Sequence, residues 1–270
     1  MLLTKQSTLK DLTNEVVLKW FKEIINERIK QLRTELQQLM NQMPMLGQFG
    51  NVNAEMGQSI DQIKIETGYL KNIGEIKAYS KSHSFNTNDN LFKNNNFSFE
   101  TITQFLQQGE SIPKMLIKIQ LGETFATISK ILEKIEILDQ KIGQDETLAN
   151  ISSEDLNYLL SKTLEPVAQD LINFVSKNRS DADNVLPEAM AILNNPNWEE
   201  KQKNVDIVDR YFSKFKVSAL FNNLMSPEDL EKRENQSELI EYSQVLGTLH
   251  YLDYFIKLAE ELLKTAKNVG

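Results

Sequence analysis

LKWFKEIINERIKQLRTELQQLMNQM, residues 18–43, is the stretch whose reading decides the fold. Leu18, Ile25, Ile29, Leu32, Leu36, Leu39 and Met43 fall at alternating steps of three and four once past Ile25. That spacing is the apolar stripe of a heptad-type helix. The residues between are mostly Lys, Glu, Gln, Arg and Asn, so the stripe is narrow and the remaining surface polar. At 1.5 Å per residue the stretch makes a rod of roughly 39 Å. A rod of that kind cannot bury its stripe alone, so the fold must supply partners for it. Val17, Trp20, Phe21 and Ile24 widen the apolar face at the N-terminal end, which places that end in a core.

Two further stretches carry matching stripes. Leu121, Phe125, Ile128, Leu132, Ile135, Leu138 and Ile142 repeat nearly the same spacing, broadened by Ile117, Ile119 and Ile131. Ser111 is a cap for that helix, Pro113 sits in its first turn and Gly143 stops it. Val245, Leu246, Leu249, Leu252, Phe255, Ile256, Ala259, Leu262 and Leu263 make the third face. The sequence therefore predicts an all-α fold, an elongated multi-helix bundle with three long amphipathic, coiled-coil-like helices over about 12–43, 112–142 and 236–267. The first is expected to start near Asp11 or Thr13 and to stop before Pro44.

The connecting stretches read as shorter elements. Residues 44–58, PMLGQFGNVNAEMGQ, are expected to form a loop, with Met43, Met45, Leu46 and Phe49 as candidate partner contacts because methionine adapts to irregular surfaces. Over 59–79 a helical face of Ile60, Ile63, Leu70, Ile73 and Ile76 competes with a hairpin around Thr67-Gly68, and the helix is preferred. SKSHSFNTNDNLFKNNNF, residues 80–97, is rich in Asn and Ser, which favour local turns, yet Phe85, Phe92 and Phe97 are spaced through it as further candidate contacts. A short helix is expected over 98–108. Ser152 or Ser153 opens a helix whose apolar phase survives Pro166, so it is expected to be kinked or to be two collinear helices. Another runs from Pro187 to Leu193, a third from the Asn197 and Glu200 box to Phe215, and a fourth over 217–225. Ser226-Pro227-Glu228-Asp229 is a helix start. The domains expected are 1–143, a long-helix hairpin with the Asn-rich insert 80–97, and 144–270, an acidic helical body with a soft boundary between them.

Composition narrows the function classes. Ten Gly and six Pro in 270 residues favour long helices over many short strands. The absence of cysteine removes disulfides, thiolate catalysis and Cys-ligated metal. The opening MLLTKQSTLKDL has no apolar core of a secretory leader, and no run of 18 apolar residues is present, so neither export nor a membrane span is expected. The net charge is −8, and residues 144–270 hold 13 Lys/Arg against 22 Asp/Glu, a local −9. An acidic half opposes binding to nucleic acid or anionic membrane.

The catalytic inventory is thin. His250 and Asp253 share a helical side, but no third ligand of suitable spacing joins them. Asp181, Asp183, Asp206 and Asp209 lack the Gly and terminal Glu of a calcium loop and read as solvated charges. Phosphate-binding Gly-rich loops and the G-x-S-x-G elbow are missing. The expectation is a non-enzymatic structural or adaptor subunit of a larger protein assembly, without cofactor or metal, cytoplasmic or in a virion. Two alternatives are a phage structural component and a ligand-binding or regulatory protein with a pocket between bundle helices near Tyr242, His250, Tyr251 and Tyr254.

Overall fold

The computed structural model describes residues 3–42, 52–83, 112–143, 146–177, 182–225 and 233–269. Among them the chain is all-α, with eight helices in order: α1 (Leu9–Gln42), α2 (Val52–Gly68), α3 (Ile73–Ser82), α4 (Ile112–Ile142), α5 (Ser153–Lys177), α6 (Ala182–Asn194), α7 (Trp198–Met225) and α8 (Arg233–Val269). The three long helices stand where the stripes put them. Their ends are set by local chemistry.

At the start of α1 the Thr8 hydroxyl accepts from the Asp11 amide at 3.2 Å, and the Asp11 carboxylate accepts from the Thr8 amide at 2.9 Å. This reciprocal capping box moves the start three to five residues ahead of the expected one, because Asp11 is the third helical residue rather than the cap. Ser152 and Asp155 cap α5 the same way, the Asp155 amide donating to Ser152 Oγ at 3.0 Å. Gly143 ends α4 with φ of +92°, a conformation that L side chains rarely adopt, while its amide still donates to the Asp139 carbonyl at 3.2 Å.

Several expectations change. Residues 52–58, expected in a loop, are the first turns of α2, and Met56 is buried there with Ile60, Ile63 and Thr67. Helix wins over hairpin across 59–79, but in two pieces: α2 ends at Gly68, and Asn72 caps α3 through the Glu75 amide at 2.9 Å. Ser80 to Ser82 complete α3, and His83 is its C-cap. Of the two forms expected around Pro166, α5 is one continuous helix rather than two, and Pro187 lies inside α6 rather than at its start. Both prolines stand on exposed positions of their helices. The segment 217–225 continues α7 rather than forming a separate helix. The expected short helix at 98–108 and the Ser226 helix start lie outside the described residues.

The chain divides into two compact units, Met1–Val16 with Thr127–Gly270, and Val17–Ala126, so that α1 and α4 each contribute to both. In the Val17–Ala126 unit the core holds Val17, Phe21, Ile25 and Leu32 of α1, Ile60 of α2, Ile76 of α3, and Leu121 and Phe125 of α4. Phe125 is its hub, meeting Phe21 edge-on with ring centroids 5.9 Å apart and Tyr79 at 5.9 Å. Leu18, the first residue of the narrow stripe, is only half-buried. The buried face of α1 is instead the wider set Val17, Trp20, Phe21, Ile24, Ile25, Arg28, Ile29 and Leu32.

In the other unit α6 packs between α5 and α7, and α8 packs against both α7 and α5, closing a four-helix ring. Leu160, Leu164, Leu171, Ile192, Val208, Leu252, Phe255 and Ile256 fill it. Each fully buried side chain of that size stabilises the fold by about 1.5–3 kcal/mol relative to exposure. The start of the chain is strapped to the segment after α4: the Leu148 amide donates to the Ser7 carbonyl at 2.8 Å, beside an antiparallel bridge between Thr8 and Thr147.

Candidate functional surface

Residue 65 shows how a surface arises from helical phase. Met56, Ile60, Ile63 and Thr67 turn inward, at steps of four, three and four. Ile65, two residues and about 200° beyond Ile63, must turn outward. It is 58% exposed, and Tyr69, four residues on at the α2–α3 turn, is 76% exposed. The two are large apolar side chains exposed at the end of α2 and in the turn that follows it. The same phase argument, made on the sequence, finds Ile65 once α2 is accepted as a helix. Tyr69 is masked there by its likeness to a strand residue. The other unit carries its own exposed aromatic, Tyr158 at 62%, with the Lys162 ammonium 5.9 Å from the ring centroid.

At the same end of α2 is a polar cluster. Glu66 Oε2 accepts from the Tyr79 hydroxyl at 3.0 Å and lies 3.3 Å from His83 Nε2. Its other oxygen accepts from Gln62 at 2.8 Å. Burial first, then the hydrogen bond and the charge of Glu66, holds the Tyr79 phenol far above the ordinary tyrosine range, so it stays a donor. An ion pair between Arg33 of α1 and Asp61 of α2 borders the same helix.

The residues singled out on the sequence meet different fates. Met43, Met45, Leu46, Phe49, Phe85, Phe92 and Phe97 lie outside the described residues. Tyr242, His250, Tyr251 and Tyr254 all lie in α8, but the last three fall in two rows rather than converging. His250 and Tyr254, both half-buried, stack with centroids 6.2 Å apart, while Tyr251 stacks on Phe255 at 5.8 Å in the neighbouring row. Tyr251 is 3% exposed, and its hydroxyl finds no hydrogen-bond partner among the described residues. Burial, with the charge of Glu133 adding to it, raises its phenol well above the usual range. Asp253 is engaged by the Gln202 amide and by Lys257 Nζ at 3.0 Å, which ties it to α7 and to its own helix rather than to His250. Asp206 is exposed and accepts from Gln202 at 3.2 Å. Among the described residues no three His, Asp or Glu side chains are placed to hold a metal ion, and no helix is long and apolar enough to cross a membrane.

Two charged groups, one buried and one half-buried, escape notice in the sequence. Lys201 of α7 is 3% exposed, its Nζ 3.3 Å from the Leu193 carbonyl at the end of α6 and 5.2 Å from the Trp198 ring centroid. Burial lowers its affinity for the proton, and Glu165 works against that. A cation at a helix C-terminus answers the helix dipole, so Lys201 locks the α6–α7 corner. Trp198 completes the corner by donating from its indole N–H to Asn157 Oδ1 at 2.6 Å. Asp139 of α4 is half-buried with one oxygen unpartnered, and burial outweighs the attraction of Lys10 to push its carboxyl up to about 6. Comparison of the chain with protein-family models, with curated proteins and with solved structures finds no match.

Proposed function

We propose that this chain is a non-catalytic helical subunit of a larger protein assembly and acts through contacts with other protein chains. The observation that carries the reading is the exposed pair Ile65, on α2, and Tyr69, just past its end, while the apolar residues Met56, Ile60 and Ile63 of that helix are buried. Tyrosine offers a rigid apolar ring with a polar tip, and aromatic side chains are enriched where protein surfaces meet. Asp61 and Lys64 stand near Ile65 with mixed charge, which suits a polar rim around an apolar contact. The net charge of −8 favours a protein partner over a phosphate backbone.

The experiment is sedimentation of the tagged chain in an extract of the cells it comes from, at physiological salt. The wild type is expected to travel in a complex well above its own 31.1 kDa. The double variant I65D/Y69D, its helix content unchanged by circular dichroism, is expected to shift toward the monomer. A wild-type chain that sediments alone at its own mass overturns the proposal.

A further inference from the structure

We infer that the partner segment covering Ile65 and Tyr69 is acidic, an apolar face edged with Asp or Glu; this rests on the proposed assembly role and adds the partner's chemistry to it. The ground is which charges near the pair are already engaged. Residues 61–75 carry three acids and two lysines. Asp61 is ion-paired with Arg33 of α1. Glu66 accepts from the Tyr79 hydroxyl at 3.0 Å and from Gln62 at 2.8 Å, and lies 3.3 Å from His83 Nε2. Glu75 serves the start of α3, one oxygen accepting from the Lys71 amide at 2.8 Å and the other from Asn72 Nδ2 at 3.0 Å. Lys64 and Lys71 are exposed, and neither ammonium has an ion-pair or hydrogen-bond partner among the described residues. Lys64 precedes Ile65, and Lys71 comes two residues after Tyr69. The exposed apolar pair is thus bracketed by two cations that still lack a counter-charge.

The same balance of charge disfavours other occupants. In a twofold contact one patch meets itself, so a second copy would set these lysines against their own kind. A basic segment meets the same repulsion. Phosphate backbones are held by many cations that displace counterions, and two lysines in a chain of net charge −8 fall short of that. The acidic excess of the chain lies in residues 144–270, whereas residues 1–143 hold 17 Lys/Arg against 16 Asp/Glu and do not repel an acidic segment. In such a contact the apolar pair supplies the anchor, and the lysines at its edge set orientation and reject partners of the wrong charge.

The probes are three helical peptides with one leucine face, edged with Glu, Gln or Lys, titrated into the full chain and read at the Ile65 methyl resonance. At low salt the Glu peptide is expected to bind about tenfold more tightly than the Lys peptide, the effect of two exposed ion pairs exchanged for two repulsions, with the Gln peptide between them. In about 0.5 M salt the difference is expected to shrink to about twofold or less. K64E/K71E is expected to reverse the order of the peptides, and K64Q/K71Q to abolish it. Equal binding of the Glu and Lys peptides, no binding of either, or an order that K64E/K71E leaves unchanged overturns the acidic partner. So does a thymidine oligonucleotide that moves the same resonance in place of the Glu peptide. The assembly role fails separately, when the wild-type chain sediments alone. A complex that survives K64E/K71E but not I65D/Y69D leaves that role standing and overturns the acidic partner.

Discussion

Replacing Phe125 by alanine tests the packing of the Val17–Ala126 unit at its hub. The side chain is fully buried and touches Phe21 of α1 and Tyr79 of α3 at centroid distances of 5.9 Å each. Truncating a buried phenylalanine costs about 3–5 kcal/mol from lost transfer energy and the cavity left behind. Two aromatic contacts, each worth about 0.5–1.5 kcal/mol beyond area, place F125A at the upper end, near 4–5 kcal/mol. That is about a quarter or more of the whole stability of an ordinary domain, about 5–15 kcal/mol. F125L keeps most of the volume and loses the ring geometry, so it is expected to cost about 1–2 kcal/mol. Urea unfolding followed by the fluorescence of Trp20, which lies in the same unit, in a W198F background measures both. A loss below about 2 kcal/mol for F125A, or equal losses for the two variants, refutes the hub.

Three smaller perturbations probe the chain elsewhere. Because burial raises the Asp139 carboxyl to about 6, the folded state favours its protonated form, and stability should rise as pH falls from 7 toward 4. D139N should then stabilise at pH 7, by no more than about 1 kcal/mol given the partial exposure of the group, and match the wild type near pH 4 in thermal melts. Y251F removes a buried hydroxyl without a partner and should leave stability equal or raised by about 1 kcal/mol, and a clear loss in denaturant unfolding would show that the hydroxyl is in fact satisfied. T8A removes half of the capping box of α1 and should cost about 1 kcal/mol, with S152A showing a similar loss at α5 in the same assay.

The long helices were legible because their stripes are long: Leu121 to Leu138 and Val245 to Leu262 repeat over many turns, and Gly143 stops α4 where its missing side chain allows φ of +92°. Ends and joins were less so. Thr8 and Asp11 form one motif, and Asp11 read by itself as the cap shifts the start of α1. Gly57 and Gly68 suggested loop and hairpin, yet Gly57 lies within α2 and Gly68 closes it. Pro187 suggested a helix start and Pro166 a kink or a join, yet both lie inside continuous helices. The sites were harder still. Apolar residues at helical spacing name a buried face, but whether Ile65 is core or surface depends on the phase of α2 against its neighbours. Lys201 looks like any charged helix residue until α6 ends beside it, and His83 like a loop residue until α3 reaches Ser82.

Hydroxyl-radical footprinting of the end of α2 tests the central claim most directly, comparing the isolated chain with the chain in its native complex. Ile65 and Tyr69 are expected to be labelled strongly in the isolated chain and to be protected in the complex, with buried Ile63 unlabelled in both. Equal labelling of Ile65 and Tyr69 in the two states, with protection falling elsewhere, would contradict the account.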